Sequence, residues 1–206
     1  MSKVLIHPAY LPSIVQMIAV SQAVEIVLEV EDNYQKQTYR NRTYIAHNNG
    51  ELLLNIPVKH VKNGSRLKMK DVQIENNFPW PSHHWKSIQT AYRTSPFFEY
   101  YEDELEPLFK TPVSSLLDFN LQIFELLCDL IGVTAEVSIT ERYEPKTAHK
   151  DLRSLIEVKK RKEFNLDPYT QVLEEHHGFL PNLSVIDLLF NEGPNTLNYL
   201  EQQKIW

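Results

Sequence analysis

The chain has 206 residues, a mass of 24.2 kDa, a net charge of -6 and a sequence pI of about 5.8. A hydrophobic share of 42% supplies a core, and the acidic balance argues against non-specific binding to nucleic acid while leaving room for a local basic loop to hold one anion. The lone cysteine, Cys128, excludes a disulfide framework and points to a reducing cytoplasm, and no run approaches the ~18 apolar residues a membrane helix needs, so membrane insertion is not expected.

Taken in order, Lys3 to Ile6 reads as a short buried strand ended by His7-Pro8. The opening residues imitate a signal peptide only until His7, Pro8, Pro12 and Gln16 interrupt them. Pro12 starts a helix over Ser13 to about Gln22, and Ala23 to Val30 is a second strand. Strand, helix and strand in so short a span make a right-handed parallel βαβ unit. The loop His7 to Pro12 and the loop after Val30 then open at the same sheet edge.

That second loop carries the most suggestive stretch of the chain. Asn33 to Arg42 are ten consecutive residues that can all donate hydrogen bonds, set between apolar segments. A polar, cationic segment off the carboxyl end of a strand is where an open α/β sheet places a ligand. Lys36, Arg40 and Arg42 suit phosphate or carboxylate, and Tyr10, Gln35, Tyr39 and Asn41 can fix orientation. The alternative is a solvated hairpin whose bases balance Glu29, Glu31 and Asp32. His7, with an ordinary pKa of ~6.5, is the candidate catalytic acid or base, or else a histidine that ties down its loop by hydrogen bonds.

Thr43 to Ala46 and Glu51 to Val58, joined by Asn48-Asn49-Gly50, read as a hairpin. Asn63-Gly64 marks a further turn, and a strand is expected around Lys70 to Ile74. Ser82 is placed as the N-cap of a helix over about His83 to Thr94, and Phe97 to Phe109 as an aromatic, acidic helix. Ser114 to Ile131 has the clearest helical period, closed by Gly132. Val133 to Thr140 reads as a strand, and the basic run Lys159 to Lys162 as a solvated helix end.

Ser184 and Asp187 have the spacing of a capping box at the head of a last helix. No Gly-rich phosphate loop, nucleophile elbow or paired-cysteine metal site is present. His83-His84 and His176-His177 are poor chelates, because neighbours on a helix point about 100° apart, so no metal site is expected. Cys128, inside an apolar run, is read as a small buried hydrophobe. Together these elements imply an α/β fold: a Rossmann-like sheet with a parallel βαβ start, a β-hairpin addition and a helical C-terminal half. We read residues 1–206 as one domain, with its sheet part in 1–80 and its mainly helical part in 81–206.

The chain resembles the WbqC-like proteins of bacteria. The residues that carry the resemblance are His7-Pro8-Ala9-Tyr10-Leu11-Pro12, Gln35 to Arg42, then Trp85, Tyr92, Pro96 and Phe97. They continue with Pro168-Tyr169, Gln171 and the block Phe179 to Gly193. Two features depart from the family pattern: His7 is followed directly by Pro8 rather than by a glutamine, and Asp167 stands where a histidine precedes the Pro-Tyr pair. Members look like proteins encoded with polysaccharide and O-antigen assembly enzymes. The resemblance therefore implies a transferase acting on an anionic, phosphate-activated donor such as a nucleotide sugar or an acyl donor; a non-catalytic binding or scaffold protein is the alternative. It implies no particular cofactor.

Overall fold

A computed structural model describes residues 2–59, 67–158 and 164–205. The chain opens with strand β1 (Ser2–Ile6), helix α1 (Ile14–Ser21) and strand β2 (Ala23–Leu28). Strands β3 (Arg42–His47) and β4 (Gly50–Asn55) follow, then helices α2 (Trp80–Tyr92), α3 (Phe98–Leu105), α4 (Pro107–Lys110) and α5 (Leu116–Ile131). Strands β5 (Glu136–Ile139) and β6 (Lys150–Asp151) precede helices α6 (Glu174–His177), α7 (Val185–Glu192) and α8 (Thr196–Gln202). One sheet runs β5-β2-β1-β6, with all three pairings parallel; β3 and β4 form a separate antiparallel hairpin. The fold is thus mixed α/β with a helical C-terminal half.

Register decides what each sheet face does. Val4 and Ile6 of β1 and Ile26 and Leu28 of β2 belong to the main core, which continues through α1, α2, α5 and α7. Leu5 pairs with Val27, so the alternation of a strand puts Leu5, His7, Val27 and Glu29 on the opposite face. All-parallel sheets are ordinarily covered by helices on both faces. Here the second face looks instead toward the 140–149 segment, across a cavity.

Helix α1 is buried along its length from Ile14 to Val20, with Ser13 Oγ accepting from the Gln16 amide as its cap. Helix α5 ends as the sequence indicates, Gly132 adopting a left-handed φ of 86°. Other expectations are corrected. Residues 69–71 form a short 3-10 helix, and Ile74 makes only an isolated bridge to Val58. Helix α2 begins at Trp80 rather than at His83, so Ser82 lies inside it and caps nothing. Glu106-Pro107 divides the expected Phe97–Phe109 helix into α3 and α4, consistent with proline's preference for a helix's first turn. The turn expected at Asn63-Gly64 and the basic run Lys159–Lys162 lie outside the described residues.

The proposed capping box is also corrected. Ser184 Oγ makes no cap bond to α7; it donates to the Leu11 carbonyl at 3.1 Å. Asp187 is wholly buried, and its Oδ2 accepts from Tyr169 Oη at 2.5 Å and Gln171 Nε2 at 2.9 Å. Burial raises the Asp187 pKa, and the bonds from Tyr169, Tyr92 and Gln171 oppose that rise. Asp187→Ala therefore strands the buried hydroxyls of Tyr169 and Tyr92, while Gln171 Nε2 keeps the Leu180 carbonyl, and should cost roughly 2–4 kcal/mol, well beyond the loss of a cap. Urea denaturation measures this; a loss below about 1 kcal/mol would return Asp187 to a capping role.

Candidate functional site

The four strands of the parallel sheet end together, and the residues just beyond their carboxyl ends converge. His7 follows β1, Glu29 follows β2, Thr140 follows β5, and Arg153 lies two residues past β6. The carboxyl edge of such a sheet is the usual place for a ligand. A cavity of about 380 Å³ opens there, walled by His7, Asp32, Gln35, Arg40, Tyr143, Asp151, Arg153 and three neighbours from 154–157.

His7 and Arg40 form its floor. Both are buried, and Arg40 is only 1% exposed. Arg40 Nη2 donates to Asp32 Oδ2 at 2.8 Å and lies 3.0 Å from His7 Nε2. His7 Nδ1 is 3.4 Å from the Glu29 carbonyl. These partners fit a neutral imidazole: Nδ1–H donates to the carbonyl, and Nε2 accepts from the guanidinium. Burial, and then the Arg40 charge, push the His7 pKa down to about 3. Among the described residues, Arg40 Nε and Nη1 have no hydrogen-bond partner, although both are buried. Leaving charged donors bare in a dry site is costly, and these two are packed within the wall, shut off from water.

Arg153 supplies the opposite wall. It donates to both oxygens of Asp151, to the Glu144 carbonyl at 2.9 Å and, at a long 3.5 Å, to Glu29 Oε2. Its guanidinium lies 5.2 Å from the centre of the Tyr143 ring. The bonds from Arg153 hold the Asp151 carboxyl below its ordinary pKa. Glu29 is fully buried; its Oε1 accepts from the Glu31 amide and from Thr140 Oγ1, both at 2.9 Å.

Of the residues singled out from sequence, His7, Gln35 and Arg40 line this cavity. Lys36 is exposed in the turn before Thr38. Tyr10 lies in the core, its hydroxyl 2.8 Å from His84 Nδ1. Tyr39 packs with Ala9 and Ile156. Asn41 is spent on Asn55 and the Ile56 carbonyl, and Arg42 stands in β3 opposite Asn55. Glu29, Asp151 and Arg153 were missed. The signal available for Glu29 was an acid at the end of an apolar strand; nothing local marks the other two. Among the described residues, no group of three or more His, Cys, Asp or Glu side chains is placed to hold a metal ion, and no helix is long and apolar enough to cross a membrane.

His84 provides a test of these buried imidazoles. Burial lowers its pKa to about 4. The unfolded chain binds this proton near the ordinary 6.5, so between about 4 and 6.5 the unfolded state holds more protons. Stability should therefore fall as pH drops through that window. His84→Gln should flatten the decline in the urea midpoint; an unchanged slope would mean that His84 is charged in the fold.

The WbqC-like protein family matches residues 7–165. The match stops before Pro168-Tyr169 and the Phe179–Gly193 block that contributed to the resemblance. An uncharacterised protein of Mycobacterium tuberculosis, Rv1507c, is 24% identical over 203 aligned residues, covering 85% of this chain and 87% of the relative. No solved structure matches. The chain belongs to the WbqC-like protein family.

Proposed function

We propose that this WbqC-like protein is a transferase acting on a phosphate-activated sugar or acyl donor in cell-surface polysaccharide assembly, with the donor's anionic group held by Arg40. The observation that carries the reading is a guanidinium in a cavity wall at the sheet's carboxyl edge, with two buried donors unused. Net charge does not supply the attraction, since Arg40 and Arg153 face the carboxylates of Asp32, Asp151 and Glu157. Directed hydrogen bonds do: Nε–H and Nη1–H point to different sides of the guanidinium and donate singly, and the parallel fork that grips two oxygens forms once Nη2 leaves Asp32.

A second reading, a binding protein without turnover, is favoured by the state of His7. With a pKa near 3 and its Nε2 engaged by Arg40, His7 is a weak base at neutral pH. In the transferase it serves to orient Arg40.

Arg40→Ala should weaken uridine diphosphate binding by about tenfold to a hundredfold in isothermal titration, as loss of charge-assisted bonds requires. Unchanged affinity would sink the anion site. His7→Gln, a neutral replacement, should reduce turnover of nucleotide sugars far less than the ~10²–10⁴ typical of a lost general base. Nucleotide binding without turnover of any sugar or acyl donor would establish the binding protein.

A further inference from the structure

A second cavity, of about 440 Å³, lies beside the first, on the face of the parallel sheet that the core does not use. Its floor is the paired Leu5 and Val27; its walls include Glu29, Glu141, Glu144 and Thr147. The two cavities share a partition. Glu29 lines the second, Arg153 lines the first, and Arg153 bonds both Glu29 and the Glu144 carbonyl.

The chemistry of the two compartments differs. The first is lined by the cationic side chains of Arg40 and Arg153. The second offers an aliphatic floor beneath three carboxylates, with Arg142 the one guanidinium among its lining residues, paired to Glu144 at 2.8 Å. An aliphatic floor suits the apolar face of a saturated ring. Carboxylates accept from hydroxyls and from an ammonium, and a cation there is further favoured by the excess negative charge.

We propose that the second cavity is a separate binding site for an amino sugar and that, on the transferase reading above, it holds the acceptor. The bound ammonium first gives one proton to water. With the long Glu29–Arg153 contact of the partition parted, the amine's lone pair forms a bond to the donor's activated carbon while that carbon's bond to the phosphate oxygen breaks. The phosphate leaves with the electron pair on the Arg40 side of the partition, and the second N–H proton passes to the Glu29 carboxylate. Glu29 suits this role because Oε1 is fixed by two good hydrogen bonds, whereas Oε2 has, among the described residues, only the long contact to Arg153.

Glucosamine and uridine diphosphate, titrated separately into the full chain, test the division. Thr147→Trp fills the second cavity from its half-buried rim. It should weaken glucosamine at least tenfold and leave uridine diphosphate within about twofold; N-acetylglucosamine, which lacks the charge, should bind the unaltered protein more weakly than glucosamine. Glu29→Gln, which keeps the Oε1 acceptor, should also weaken glucosamine. The proposal is overturned if glucosamine shows no saturable binding, if it is indifferent to both substitutions, or if Thr147→Trp weakens both ligands equally. Failure of Arg40→Ala to affect uridine diphosphate would instead defeat the donor site, with the glucosamine result standing by itself.

Discussion

The structure depends on a loop that is buried throughout. Residues 7–12 connect β1 to α1 without regular secondary structure, yet every one of them is buried. Buried backbone must find partners or cost several kcal/mol, and this loop draws them from across the chain. Gln16 Nε2 donates to the His7 carbonyl, Asn120 Nδ2 to that of Pro8, and the Tyr10 amide donates to the Tyr39 carbonyl. Leu11 has a positive φ of 43°, an uncommon conformation for a branched side chain, and its carbonyl accepts from both Thr43 Oγ1 and Ser184 Oγ. Such strain persists only where the surroundings over-determine it.

This network joins distant segments to the site. Asn120, on α5, is wholly buried and bonds the carbonyls of Pro8 and Arg40 together, so one amide sets the spacing of the two loops that carry His7 and Arg40. The C-terminal residues close the same loop from the other side: Val185 donates to the Pro12 carbonyl, Ile14 to that of Leu183, and the Asn182 side chain accepts from Val15. Residues beyond the family match are therefore part of the support for its first residues. Gly193 belongs to this tie as well. A Cβ there would lie 2.5 Å from the Phe97 ring, while the Phe97 amide donates to Phe190 at the end of α7.

Local pattern made the βαβ start, the hairpin and α5 legible, because each rests on a period or a turn signal contained within its own residues. The errors arose where tertiary contacts outvoted local chemistry. Ser184 and Asp187 have capping-box spacing, but Leu11 competes for the hydroxyl, and Tyr169 and Gln171 for the carboxylate. The site was half legible. The sheet edge and the loop after β2 could be inferred from strand order, and His7 with Arg40 from that edge. Tyr10, Asn41 and Arg42 sit within a few residues of them yet serve the core and the hairpin, because composition cannot tell which way each side chain turns. The other wall, Asp151 and Arg153, comes from more than 100 residues away in an irregular segment. The parallel pairing of β6 with β1, and the ties of Thr38 to Glu157 and of Tyr39 to the Ile156 carbonyl, bring it there.

The electrostatics follow from that assembly. Arg40 is taken out of water, and burial works against its charge while Asp32 supports it. The usual resolution of a buried charge is full pairing. Arg40 is paired at one nitrogen, while its remaining donors stay bare behind the Asn120 clamp. His7 cannot relieve it by accepting a proton, since the same charge and the same burial keep its imidazole neutral. The fold thus holds strong donors where solvent is scarce, and an acceptor for which the wall rearranges to admit it would meet bonds strengthened by the low dielectric.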